Sequence, residues 1–220
     1  MKKVLSFILI AVIWISGGTL AASAAAEGDV DAVLDRVEER YSGKAFTAGF
    51  VQVSTVKAMD ITDEAEGTLY VEYPGKMRWA YDYPERLFFI TNGDTVWIWK
   101  PEDNQVSVGK ATDILGDSKG ATFLSDIGLI RKRFTVSLEP SDTEDAYPLK
   151  LEPKQENVDI SAVYLTVSKT DYNVSEVMTT NAYEDETRIF FKDFSFQPDF
   201  PEDLFQFDIP EGADVLEYSP

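Results

Sequence analysis

The chain of 220 residues contains no cysteine and no histidine. Without cysteine there are no disulfides, thiolate nucleophiles or sulfur-bound metals, and without histidine the usual general base and the usual zinc ligand are missing too. A bacterial lipoprotein carries its lipid on a cysteine at the cleavage point, so no acyl anchor is expected on this chain. No glycine-rich phosphate loop occurs. The acidic run Asp60, Asp63, Glu64 and Glu66 lacks the alternating ligands and central glycine of a calcium loop, and reads as a solvated loop. Carboxylates are numerous enough to pair by chance, which leaves a secreted hydrolase with a glycosidase-like acid/base pair open. Nothing else supports catalysis, and the expectation is a protein that is not an enzyme and uses no cofactor or metal.

Basic residues are scarce as well. Lys and Arg number 20 against 39 Asp and Glu, a net charge of -19. Phosphate backbones need clustered cations, so nucleic acid is not an expected partner, and anionic lipid head groups repel the same sign. Only one long apolar run exists, Val4 to Ile15, preceded by Lys2 and Lys3 and followed by small residues up to Ala26. It is short of the roughly 20 residues that span a bilayer as a helix. Residues 1–26 read as a secretory signal peptide cleaved near Ala24 or Ala26, and residues 27–220 as one domain that is exported.

The stretch GDVDAVLDRVEERYSGK spaces Val30, Val33, Leu34, Val37 and Tyr41 at helical intervals, predicting an amphipathic helix over 30–41. Beyond it, FTAGFVQVS, GTLYVEY, MRWAYDY, RLFFIT, TVWIWK, RFTVSLE, YPLKLEP, SAVYLTVS, EVMTTNAY, TRIFFKDFSF and LFQFDIP read as strands. Pro74-Gly75 and Asn92-Gly93 supply turns. Strands in such succession form an antiparallel meander, closed or nearly closed into a barrel. Residues 109–133 break the pattern, with Ile114, Leu115, Phe123, Leu124 and Ile127 spaced for short helical turns, and read as an apolar flap packed on the sheet.

Aromatic residues are the abundant feature. Tyr73, Trp79, Tyr81, Phe88 and Phe89 fall within one short stretch, and Trp97 and Trp99 follow. Strand alternation assigns such rings to faces without saying which face is concave. As a set, Phe50, Leu69, Val71, Trp79, Tyr81, Phe89, Trp97 and Trp99 are expected to line an apolar cavity, with Ile114, Leu115, Phe123, Leu124 and Ile127 lying in it when it is empty.

Several motifs occur in order along the whole exported chain: F-x-Q at Phe50 to Gln52, G-x-L-x-V at Gly67 to Val71, Y-P-G-K-M-R-W at Tyr73 to Trp79, N-G-D-x-x-W-x-W at Asn92 to Trp99, and F-x-F-x-x-P-x-G-x-x-V at Phe205 to Val215. Their succession resembles the LolA family of outer-membrane lipoprotein carriers. The resemblance implies a mainly β (α+β) fold, an incomplete antiparallel barrel with a hydrophobic concave face and a helical lid. It also implies a monomeric periplasmic chaperone, which receives acylated lipoproteins from an inner-membrane LolCDE-type ABC transporter and passes them to a LolB-type outer-membrane receptor where one exists. Family members carry an Arg before the turn proline that ties down the lid. Tyr73 stands there in this chain, so the implied lid-closing candidates are the Tyr73 hydroxyl and Arg78. Met77 occupies the apolar position associated with engaging the transporter, and thioether side chains re-pack readily around partners. The alternative is a sensor of envelope stress, or a carrier of another lipid, built on the same pocket.

Overall fold

A computed structural model describes residues 22–115, 127–141, 144–155, 158–197 and 199–218. The chain begins with α1 (Ala22–Tyr41), which starts earlier than the expected Val30 because the Ala-rich stretch before it favours helix. Val30, Val33, Leu34, Val37 and Tyr41 are buried, while Asp31, Asp35 and Glu39 face solvent. No helix among the described residues is long and apolar enough to cross a membrane.

Strands follow in the sequence β1 (Ala45–Val56), β2 (Ile61–Glu72), β3 (Lys76–Tyr83), β4 (Leu87–Asn92), β5 (Thr95–Lys100) and β6 (Gln105–Lys110). Helices α2 (Ala111–Leu115) and α3 (Leu129–Arg133) flank the middle of the chain, and β7 (Phe134–Leu138), β8 (Ala146–Pro153), β9 (Ala162–Ser168), β10 (Val174–Thr180), β11 (Glu186–Gln197) and β12 (Asp214–Glu217) complete it. One sheet holds them all, in the order β12-β6-β5-β4-β3-β2-β1-β11-β10-β9-β8-β7. The edges β12 and β7 do not meet, so the barrel is unclosed. Every neighbouring pair is antiparallel except β12 with β6, which run parallel.

The sheet curls strongly. The rings of Trp79 on β3 and Phe191 on β11 lie 6.0 Å apart, although β2 and β1 stand between their strands. Side chains perpendicular to a flat sheet would be about 14 Å apart across three strand spacings. Gly67 helps the bend. A Cβ there would sit 2.0 Å from the carbonyl oxygen of Ala80, so β2 and β3 approach at this register shift closer than any side chain permits. The rings of Phe50 and Tyr81, partners of Gly67 on either side, meet over the gap at 4.9 Å.

Two expectations about strands need correction. Residues 105–110 form β6, and the closing segment LFQFDIP is not a strand but irregular chain with turns at Leu204 and Gln206. Its aromatic residues are committed to packing: Phe205 is buried and Phe207 lies 5.2 Å from Trp99. The C-terminal strand instead forms four residues later, where Asp214 to Glu217 pair with Gln105 to Val108.

Candidate functional site: a covered apolar trough

The concave face is built by register. Phe50 faces Gly67 and Phe191, Ala48 faces Leu69, and Phe46 faces Val71. Leu69 and Val71 face Trp79 and Met77, and Trp79 faces Phe89. Cross-strand partners share a face, so Phe50, Leu69, Val71, Trp79, Tyr81 and Phe89 stand on one continuous apolar surface. Phe50, Trp79 and Tyr81 form its aromatic centre, with Phe50 and Trp79 4.9 Å apart edge to face and Trp79 and Tyr81 stacked at 6.4 Å. Such pairs add to the stabilisation from burial alone.

Trp97 and Trp99 do not belong to this surface. Trp97 pairs with Ile90 and Trp99 with Phe88, one residue out of phase with Phe89, so both indoles project from the convex face. The expected single aromatic lining is therefore two layers. Phe88 stacks on Trp99 at 5.4 Å, Phe207 closes over Trp99, and Phe200 bridges Tyr70 and Phe205. The chain from Asp199 onward straps this second layer.

Arg78 belongs to the strapped face. Its guanidinium donates to the carbonyl oxygen of Leu204 at 3.2 Å and lies 5.1 Å from the Phe88 ring centre. Burial lowers its pKa from the ordinary arginine value. It reaches the C-terminal strap and not the cover of the trough, because it alternates with Met77 and Trp79. Tyr73 is an exposed turn residue. Most of the expected lid, 116–126, lies outside the described residues. Met77 is 1% exposed and packed within the trough's core cluster.

What covers the trough is α1 and the segment around α3. Val30, Val33, Leu34, Val37 and Tyr41 join one core cluster with the trough residues, and Ile127, Ile130 and Phe134 belong to the same cluster. Tyr41 is fixed at the helix end. Its hydroxyl accepts from the Val174 backbone at 2.8 Å, and burial pushes its pKa up. Ile114 on α2 reaches the concave side at the other edge, where its Cδ1 would lie 2.9 Å from a Cβ on Gly109, the partner of Val96. Of the expected lid residues, Ile114 and Ile127 are thus placed. Phe123 and Leu124, and the side chain of Leu115, lie outside the described residues.

A charged clasp that the sequence reading missed joins the two covers. Arg131 on α3 donates to Asp35 Oδ1 at 2.6 Å, Glu38 Oε2 at 2.8 Å and the Asp31 carbonyl oxygen at 3.0 Å. The signal was present in the acids at 31, 35 and 38, one stripe of a helix, and in the basic run 131–133.

Toward the end of the trough where β3 turns into β4 stands Tyr81. Its hydroxyl donates to Gln52 Oε1 at 3.0 Å, and burial pushes its pKa up to about 12. Among the described residues no group of three acidic side chains is placed to hold a metal ion. The arrangement is an apolar concave surface packed against a cover drawn from the same chain.

An unclosed antiparallel barrel with one covered apolar concave face defines a class of proteins that hold greasy ligands. The model of the outer membrane lipoprotein carrier protein LolA family matches residues 42–208, and the chain belongs to that family. An outer-membrane lipoprotein carrier protein of Hahella chejuensis is 26% identical over 212 residues, covering 96% of this chain and 98% of the relative. One from Nitrosomonas europaea is 30% identical over 171 residues, covering 78% and 82%. Among solved structures, an uncharacterized conserved protein of Thermus thermophilus superposes with a TM-score of 0.57 at 15% identity, covering 86% of this chain and 99% of that one. MucB superposes at 0.51 and 14% identity, covering 86% and 66%. At these identities the structural likenesses concern the fold alone.

Proposed function

We propose that this protein is a periplasmic chaperone that takes up the acyl chains of lipoproteins leaving the inner membrane and carries them to the outer membrane. The observation that carries this reading is the trough of Phe50, Leu69, Val71, Trp79, Tyr81 and Phe89 beneath a cover of the same chain. Each CH₂ of an acyl chain contributes about 0.8 kcal/mol when removed from water, so several long chains face an aqueous barrier of tens of kcal/mol. A trough shields them. Its cover presents Val33, Val37 and Ile130 to the same surface, so ligand and cover exchange similar apolar contacts. Net binding then stays far below gross burial and can be reversed at the next station.

The partners that fit are acylated lipoproteins, a LolCDE-type transporter as donor and a LolB-type receptor, where one exists, as acceptor. The N-terminal run 4–15 and the small residues to Ala26 support export before the domain functions as a monomer. The test is to incubate spheroplasts making labelled lipoproteins with the purified chain lacking residues 1–26. The reading predicts labelled lipoprotein in the soluble fraction as a complex with this chain; lipoproteins that stay wholly in the membrane contradict it.

A further inference from the structure

Besides its outer strands β12 and β7 the sheet has a free edge within its order. β1 runs to Val56 and β2 starts at Ile61, whereas β3 reaches only Tyr83, opposite Glu66, and Pro84 then has no N–H to give. Residues 61–65 of β2 therefore pair with β1 alone. Among the described residues no backbone hydrogen bond meets their other side, and Ile61, Thr62, Asp63 and Glu64 are exposed. Alternate residues of such an edge present an N–H and a C=O outward, a template for an added strand.

The edge is held extended in advance. β11 backs β1 as far as Thr55, the Lys57 backbone donates to Asp185 Oδ1 at 3.0 Å, and the Lys57 ammonium pairs with Glu184. Pairing would thus order only the incoming chain. At Ala65 the edge meets a groove of about 290 Å³ whose lining includes Tyr83 and Pro84, space beside the end of β3.

Charge selects the chain that fits. By alternation Asp63 stands on the face of Leu69 and Val71, and Glu64 on the opposite face, so both sides of an added strand meet an acid. A second copy of this edge would set acid beside acid, which opposes self-pairing. An extended segment with Lys or Arg on both faces is complementary, and backbone bonding is indifferent to its other side chains.

We propose that residues 61–65 take up the cargo's polypeptide next to its acylated end, as an added strand bearing cations. The proposal rests on the carrier reading for the source of that segment; the edge itself does not depend on it. Few backbone hydrogen bonds form, so the strand is held weakly and is let go with the acyl chains.

The experiment uses the peptide KTVKTK, acetylated and amidated, with ETVETE and fully N-methylated KTVKTK as comparisons. The first comparison reverses the charge, and the second keeps the charge but has no backbone donors. Wild type is expected to bind KTVKTK, with slowed amide exchange within residues 61–65, and to hold each comparison peptide at least about tenfold more weakly. Asp63→Lys with Glu64→Lys is expected to weaken KTVKTK about tenfold or more. Asp214→Lys with Glu217→Lys on exposed β12, an equal change of charge, leaves binding as it was, and unfolding curves establish that both variants are folded. A palmitoyl group in place of the acetyl is expected to tighten binding about tenfold or more. Absence of KTVKTK binding, equal binding of its N-methylated form, or binding unmoved in the folded Asp63 and Glu64 variant overturns the edge and leaves the carrier reading standing. Peptide binding that gains nothing from the palmitoyl group overturns the cargo as its source.

Discussion

Arg131 and Glu38 meet at 2.8 Å although they lie on different helices and far apart in the chain, and with the Asp35 contact they make the two covers of the trough one unit. The residues are partly exposed, so each pair contributes about 0.2–1 kcal/mol. That is small beside the apolar packing, yet it acts at the seam that must part. Arg131→Glu is therefore expected to lower stability by about 1 kcal/mol and to raise binding of an apolar fluorescent dye. Added salt should move wild type in the same direction. The double variant Arg131→Glu with Asp35→Arg should recover part of both effects, as urea unfolding and dye titration will register.

The two aromatic layers make different predictions. Trp79→Ala empties a buried position in the trough and is expected to cost about 3–5 kcal/mol and to weaken acyl binding. Trp97→Ala removes a half-buried ring of the convex layer, so it should cost less and leave acyl affinity as it was. Urea unfolding paired with lipid binding on both variants separates the faces.

Gly67→Ala is expected to destabilise by about 3 kcal/mol or more. Its Cβ meets backbone atoms of Ala80 and Tyr81 within 3 Å, and backbone cannot swing aside as a flexible side chain would. Thermal unfolding measures this loss. The Gly109→Ala comparison is milder, because the closest approach there, 2.9 Å, is to the tip of Ile114, which can move, and Tyr218 stands at 3.1 Å.

Alkaline pH should loosen the packing around Tyr81. The folded pKa of Tyr81 is raised to about 12 by burial, above the roughly 10 of an unfolded tyrosine. The contribution of its neutral, buried form is complete below pH of about 10 and falls away as pH climbs toward about 12. Tyr81→Phe should show a shallower loss of stability over that window, measured by urea midpoints at successive pH values; Tyr41 titrates in the same direction and remains in both proteins.

Local pattern was enough for the meander. Helical spacing from Val30 to Tyr41 located α1, and alternation in GTLYVEY and MRWAYDY located the β2–β3 hairpin. Alternation failed to say that Trp79 and Trp97 part company, because both faces of β3 to β5 are apolar: one is covered by α1, the other by the strap carrying Phe200, Phe205 and Phe207. A strap joined to its sheet only through the fold leaves no periodic trace. The same holds for β12, whose parallel pairing with β6 depends on chain returning from more than a hundred residues away. Phe191 and Ile130, both in the trough's core, and Arg131 likewise acquire their roles from distant partners.

The central claim is that acyl chains lie in the trough and nowhere else on the sheet. The most direct measurement places a photoactivatable amino acid singly at Leu69, Val71 or Phe89 on the concave face, and at Ile90 or Trp97 on the convex face, in cells making lipoproteins with labelled acyl chains. The account predicts acyl-linked adducts from the first three positions and none from the last two. Adducts from Ile90 or Trp97 at equal yield, or none from the concave positions in a folded protein, would contradict it.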